Sequence, residues 1–118
     1  MPHCVLEYSS NLSPLPNVAE FFEALHRELS RDGVVELARI KSRTHMCENS
    51  FIGDGNHDRA FLFLQISLLS GREDAWLSRV SDAALSLLQD SFSHIIASHH
   101  PSVTVEIREM DKRFHRAH

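Results

Sequence analysis

The sequence predicts an α+β fold of order β-α-β-β-α-β, in which a four-stranded sheet carries two helices on one face. The strand, helix, strand pattern occurs twice along 118 residues, and a nearly continuous apolar run lies where a central strand is expected. With 42% hydrophobic residues, the chain is long enough for one core and too short for two ordinary domains. We therefore expect a single domain, 1–118, built from two β-α-β units at about 1–57 and 58–118.

The first unit begins with a strand, because residues 3–8 alternate and are rich in strand-forming side chains. A helix is expected next: Asn17 and Glu20 resemble a capping box, apolar residues then recur at helical spacing, and Gly33 ends the pattern. Strand character returns in residues 35–46, which complete the unit.

The second unit begins with residues 60–68, an apolar run that suggests a central strand covered on both faces. A long helical stripe follows Ser70 and Gly71 and ends at Pro101, and alternation in residues 103–107 predicts the last strand. Two helices cover only one face of such a sheet. We expect the bare face to pack against other copies of the chain in a closed oligomer.

Charge and cysteine content narrow the function classes. The net charge of −4 argues against a general binder of nucleic acid or anionic membranes. Two cysteines and no recognisable leader predict a reducing cytoplasm, and no apolar run reaches the ~20 residues of a membrane span. The nine histidines match no standard zinc spacing, so no metal site is predicted.

Pro2 is a candidate for chemistry, because removal of Met1 would leave a secondary amine at the end of the chain. A terminal amine titrates near ~7.7, and burial or neighbouring cations lower its pKa, so it can act as a base near neutral pH. Many proteins, however, begin with the same dipeptide for no catalytic reason. The surrounding sequence has to decide between the two interpretations.

A row of basic residues supports the catalytic interpretation. Arg39, Lys41, Arg43 and His45 are spaced by two, so they would share one face of a strand. Guanidinium groups hold carboxylates through paired hydrogen bonds, and Arg72 near the start of the second helix could add a further clamp. A solvated sheet edge protected by charge is the alternative for the row, and a solvated helix end is the alternative for Arg72.

Several segments resemble the 5-carboxymethyl-2-hydroxymuconate isomerases, members of the tautomerase superfamily that also contains 4-oxalocrotonate tautomerase and macrophage migration inhibitory factor. The segments agree in order and spacing over nearly the whole chain, and the resemblance weakens after about Glu109. They are PHCVLEYSSNL from Pro2, IKSRTH from Ile40, GDGNHD from Gly53, AF from Ala60 and GR from Gly71.

The resemblance implies a homotrimer of tautomerase-like subunits that needs no cofactor. The reaction implied is conversion of the enol of 5-carboxymethyl-2-hydroxymuconate, or of a related 2-hydroxymuconate, to the conjugated ketone during homoprotocatechuate breakdown. Pro2 matches the general acid/base, and Arg43 and Arg72 match positions that hold substrate carboxylates or stabilise the enolate. Lys41 stands where arginine is expected, so altered binding of the di- or tricarboxylate substrate is predicted, since lysine lacks a planar pair of donors.

A fold alone does not establish chemistry. The alternative is a tautomerase-fold protein without this activity that acts as an oligomeric binding module. Retention of Met1 would favour that alternative, because the Pro2 nitrogen would then be an amide without basicity.

Overall fold

The computed structural model describes residues 2–118, which form one four-stranded sheet with helices. The strands are β1 (His3–Ser9), β2 (Lys41–Cys47), β3 (Phe61–Leu69) and β4 (Ser102–Met110), and the helices are α1 (Val18–Ser30), α2 (Asp74–Ser91) and α3 (Ser93–His99). The predicted order is confirmed, with the second helical stretch divided in two. No helix in this range is long and apolar enough to cross a membrane.

The strands lie in the order β2-β1-β3-β4, so each β-α-β unit supplies one parallel pair. β1 and β3 run antiparallel in the middle of the sheet and join the two pairs. The strand predicted from the apolar run is therefore central, as expected. These directions bring the beginnings of β1 and β2 and the ends of β3 and β4 together at one end of the sheet, which we call the Pro2 end.

One face of the sheet packs against the helices and forms the core. Alternate residues of β3 are fully buried there: Leu62, Leu64, Ile66 and Leu68. The apolar stripes of α1 and α2 complete this core with Phe21, Leu25, Leu29, Val80, Ala84 and Leu88. The opposite face of β3, with Phe63 and Gln65, is half-buried in a single chain. The expectation that other copies of the chain cover this face stays a prediction.

The second strand begins later than predicted. Residues Leu37–Arg39 form one turn of 3₁₀ helix, and β2 starts at Lys41. Val35 and Ile40 are buried on either side of the turn, so their burial and not alternation along a strand explains the apolar pattern. Arg39 consequently lies outside the basic row of β2.

Two helix predictions also require correction. Asn17 precedes α1 but has a left-handed φ of 58° and makes no side-chain capping bond, so the predicted capping box is wrong. The long second helix is interrupted at Phe92, whose φ of −116° leaves the helical range. The Phe92 ring is buried against Phe21, with the two ring centroids 5.4 Å apart. Gly33 follows α1 with a φ of 79°, as a helix-ending glycine does.

Candidate active site

Pro2 lies immediately before β1 and is buried. Its carbonyl oxygen accepts a hydrogen bond of 3.1 Å from the backbone N–H of Lys41, which holds the start of β2 beside it. The strand register continues this arrangement, since His3 pairs with Lys41 on one side and with Ser67 on the other. Pro2 is thus flanked by the beginning of β2 and the end of β3. The predicted removal of Met1 concerns a residue outside the described range and stays a prediction.

Arg43 contacts the residue that follows Pro2. Its Nη1 donates to Nδ1 of His3 at 3.1 Å. A guanidinium group can only donate, so Nδ1 must be unprotonated and the His3 ring neutral in this arrangement. Burial, and then the charges of Arg43 and Lys41, lower the pKa of His3 from 6.5, in agreement with the neutral form. His3, which sequence patterns leave without a role, therefore holds the Arg43 guanidinium.

Arg72 lies three residues after the end of β3, at the Pro2 end. Its guanidinium carbon is 5.8 Å from the centroid of the Trp76 ring. The Arg72 Nε is buried and has no hydrogen-bond partner within residues 2–118. A buried donor without a partner costs roughly 1–3 kcal/mol, and an anionic ligand at that position would remove the cost. The burial of Nε distinguishes Arg72 from a fully solvated helix-end arginine.

Trp76 packs against the core and also joins a polar network. Its Nε1 donates to Oδ2 of Asp32 at 2.8 Å, and Nη2 of Arg79 donates to the same oxygen at 2.8 Å. The backbone N–H of Val34 is the main cause of the lowered pKa of Asp32, so this carboxylate stays charged at neutral pH. Asp32 therefore fixes the ring on which the Arg72 guanidinium lies.

Among residues 2–118, Lys and Arg residues without a carboxylate partner are concentrated at the Pro2 end of the molecule. Seven of the twelve Lys and Arg residues form salt bridges with carboxylates. The other five form none in the described part of the chain, and all lie in the first half of β2 or after the ends of β3 and β4. They are Lys41, Arg43, Arg72, Lys112 and Arg116. This concentration of unpaired cations attracts anionic ligands.

The predicted site residues do not share one cavity in a single chain. Lys41 lines an open cavity of about 720 Å³. Arg72 lines a separate pocket of about 360 Å³ together with Trp76. Pro2 and Arg43 line neither of these two. The structure therefore brings the predicted residues to one end of the sheet but not into one enclosed pocket.

Sequence reasoning missed the contribution of the tail, residues 111–118. A 3₁₀ turn at Lys112–Phe114 follows β4 at the Pro2 end. Arg116, His115 and His118 then line the same cavity as Lys41. The sequence does show that the tail is rich in basic residues. Because these residues do not recur at a regular spacing, their position in the fold could not be predicted from the sequence.

Two neighbours of these residues have other roles. Cys4 is fully buried, and burial raises its pKa to about 11, so its thiol is protonated and unreactive near neutral pH. Cys4 is a small residue of the core. His45 is exposed like Arg43 on the same face of β2, but it pairs with Glu7, further from the Pro2 end.

Known proteins are similar to this chain in sequence and in fold. Residues 2–118 match the family model described as 5-carboxymethyl-2-hydroxymuconate isomerase. A 5-carboxymethyl-2-hydroxymuconate Delta-isomerase from Escherichia coli is 26% identical over 110 residues, covering 93% of this chain and 87% of that protein. A crystal structure of a 5-carboxymethyl-2-hydroxymuconate isomerase from Deinococcus radiodurans R1 has a TM-score of 0.89 and 25% identity, covering 99% of this chain and 88% of the other. A fused 4-OT described as a wild-type symmetric trimer shares the fold, with a TM-score of 0.76, 15% identity and coverage of 98% and 90%.

Proposed function

Because the chain belongs to the 5-carboxymethyl-2-hydroxymuconate isomerase family and is an isomerase, we propose that it ketonises 5-carboxymethyl-2-hydroxymuconate or a related 2-hydroxymuconate, with Pro2 as general acid/base. One observation carries the proposal: every Lys or Arg without a salt bridge in the described chain lies at the end where Pro2 is buried. A substrate with several carboxylates supplies the missing negative charge. The reaction would serve homoprotocatechuate breakdown in the cytoplasm.

In this proposal the Pro2 amine carries one proton between two positions of the substrate. It accepts the proton of the 2-hydroxyl group of the dienol and delivers it to the distant carbon, which gives the conjugated ketone without a cofactor. The amine must be neutral before the reaction, and both burial and nearby cations disfavour its protonated form. The proposal also requires removal of Met1, since an acylated nitrogen cannot act as a base.

The cations have distinct roles in the proposed reaction. Arg72 has an unsatisfied buried donor, and Arg43 is held in place by His3, so both can meet negative charge without rearrangement. They would bind substrate carboxylates or the oxygen on which charge develops. Lys41 adds charge but no planar pair of donors, so we propose that substrate binding is altered and not abolished relative to an arginine at this position.

We also propose that three copies assemble through the half-buried face of the sheet. The symmetric trimer described for the fused 4-OT supports this assembly, as do the separate cavities of Lys41 and Arg72, which neighbouring copies could complete. Light scattering should give three times the mass of one chain. A monomeric mass at catalytic concentration would contradict the assembly.

Replacement Pro2→Ala tests the catalytic proposal. We expect kcat for ketonisation of both 2-hydroxymuconate and its 5-carboxymethyl derivative to fall by about 10²–10⁴, because the base changes in basicity and loses its ring-fixed geometry. Ultraviolet absorbance of the dienol follows the reaction, and Pro16→Ala at an exposed position is the control. Intact-mass spectrometry of both proteins checks that Met1 is absent. Equal rates for wild type and Pro2→Ala, or Met1 retained in the native protein, would defeat the proposal.

A further inference from the structure

We infer that the tail after β4 supplies a second carboxylate-binding subsite, formed by Arg116 together with Lys41. The subsite would bind the additional carboxylate that distinguishes a tricarboxylate muconate from a dicarboxylate one. Arg116 would thus be a specificity-determining residue in the tail. The identity of the substrate rests on the proposed function, whereas the existence of the subsite rests on the geometry of the tail.

The subsite is an open cavity of about 720 Å³ at the Pro2 end, bounded by the start of β2, the end of β3 and the tail. No acidic side chain lines it within the described residues. Cationic, imidazole and apolar side chains do: Arg39, Lys41, Leu69, His115, Arg116 and His118. This composition suits a carboxylate carried on a short carbon chain, because the charge meets the cations and the carbon atoms meet Leu69.

The cations around this cavity differ in whether their partner is a carboxylate or a neutral carbonyl group. Arg39 forms an ion pair with Glu36, with Nε and Oε2 at 2.9 Å. Lys41 instead donates from Nζ to the backbone oxygen of Arg39 at 3.0 Å, and Arg116 donates from Nη1 to two backbone carbonyls of the tail at 2.9 and 3.0 Å. Two full positive charges therefore line one cavity with only neutral acceptors in the described chain. A carboxylate would convert these contacts into charge-assisted hydrogen bonds.

Arg116 also compensates for Lys41, which stands where the resemblance to the family predicts arginine. The Lys41 ammonium is a point charge and cannot bind both oxygens of a carboxylate in one plane. The guanidinium of Arg116 uses only Nη1 for its backbone contacts, which leaves Nε and Nη2 as donors. A planar pair of donors is thus present at the cavity, although it comes from the tail.

The cavity adjoins the proposed catalytic amine. The backbone N–H of Lys41 donates to the carbonyl of Pro2 at 3.1 Å, so the residue that lines the subsite is bonded to the residue that carries the base. After burial, the charges of Arg43, Lys41 and His115 lower the pKa of His3, the next residue along β1. The tail and β2 therefore act electrostatically on the same region as Pro2.

Steady-state kinetics of Arg116→Ala on two substrates tests the subsite. We expect KM for 5-carboxymethyl-2-hydroxymuconate to rise about tenfold or more, while KM for 2-hydroxymuconate and both kcat values stay within about twofold. Arg116→Lys should restore part of the loss. The matched control is Arg113→Ala in the same tail, because Arg113 is already paired with Asp111 and does not line the cavity.

An equal rise in KM for both substrates, or no rise for either, would overturn the inference. Circular dichroism spectra and thermal transitions that match wild type exclude a folding defect as the cause of a change. Lys41→Ala provides a second variant, for which KM should rise with both substrates, and more with the 5-carboxymethyl derivative, because Lys41 adds positive charge to the whole site.

A binding experiment separates failure of the subsite from failure of the proposed function. If wild type ketonises neither muconate, calorimetry with propane-1,2,3-tricarboxylate and pentanedioate still tests the subsite, since these probes differ by one carboxylate. We expect wild type to bind the tricarboxylate about tenfold more tightly, and Arg116→Ala to remove that difference. Equal binding of the two probes by wild type would overturn the subsite, whatever the enzyme does to muconates.

Discussion

The two ends of the sheet differ in whether they contain cations without a carboxylate partner. At the Pro2 end, Lys41, Arg43 and Arg72 have no carboxylate partner in the described chain. At the other end, where β1 and β2 finish and β3 begins and which we call the Ser9 end, Arg59 donates to both oxygens of Asp54 at 2.8 and 3.1 Å. Both ends contain a cavity, of about 720 and 370 Å³ respectively. The presence of a cavity therefore does not distinguish the two ends, whereas the cations without carboxylate partners do.

The polar groups at the Ser9 end serve the fold. Ser9 is 2% exposed, and its Oγ donates to Oδ1 of Asn11 at 2.7 Å and accepts from the backbone N–H of Phe61 at 3.1 Å. Asn11 in turn donates to the carbonyl of Arg59 at 2.7 Å. The segment 53–58 is also among those that resemble the family, yet its contacts close a turn. Family resemblance therefore follows structural needs as well as chemical ones.

The sharpest test of this comparison replaces one arginine at each end. Arg72→Ala should lower kcat for muconate ketonisation by about 10², because a preplaced donor to developing negative charge is lost. Arg59→Ala should leave kcat and KM within about twofold, since Arg59 is already satisfied by Asp54. The absorbance assay measures both. A larger loss of rate from Arg59→Ala than from Arg72→Ala would instead indicate that the active site lies at the Ser9 end.

A second test removes a buried hydroxyl from the Ser9 end. Ser9→Ala leaves the N–H of Phe61 and the Oδ1 of Asn11 without a partner, so the free energy of unfolding should fall by about 1–3 kcal/mol while kcat is unchanged. Urea denaturation gives the free energy. Ser98→Ala, at an exposed position on α3, should change it by less than about 0.5 kcal/mol. A loss of rate without a loss of stability would make the Ser9 end part of the active site.

The smallest expected effect is a dependence on pH. It arises from two histidines, His3 and His26, on opposite faces of the sheet at the Pro2 end. Burial lowers the pKa of His26, whose Nε2 lies 2.7 Å from Oγ of Ser42, and burial with Arg43 and Lys41 lowers that of His3. Folding therefore favours both neutral rings. Their contribution to stability is complete above the unfolded pKa of about 6.5 and is lost as the pH falls through the folded values.

Only one of these histidines should affect substrate binding. Protonated His3 cannot accept from Arg43, so KM for the muconate should rise as the pH falls through the pKa of His3 in the folded protein, which lies below its ordinary value of about 6.5. His3→Gln should remove this rise, because an amide oxygen accepts without titrating, while His26→Gln should leave it in place. Both variants should weaken the loss of stability in acid. A KM profile that His26→Gln flattens and His3→Gln does not would contradict the role of His3.

Local patterns predicted the elements more reliably than their limits. The alternation of β1 and β4 and the apolar run of β3 depend on side chains within each strand, and these strands form as predicted. The beginning of β2 at Lys41 and the break at Phe92 depend on contacts with distant residues, such as that between Phe92 and Phe21. Sequence periodicity carries no information about such contacts.

The sequence by itself determined the order of the elements, because alternation and helical spacing are short-range patterns, and it suggested Pro2 and Arg43 as candidates for the site. Only the tertiary structure decided which charges remain unpaired. The directions of the four strands bring Pro2, Lys41 and the tail to one end of the sheet, and there the burial of the Arg72 Nε leaves it without a partner. Whether a cation finds a carboxylate partner depends on which strand ends lie next to each other, and strand order and direction in the folded sheet decide that.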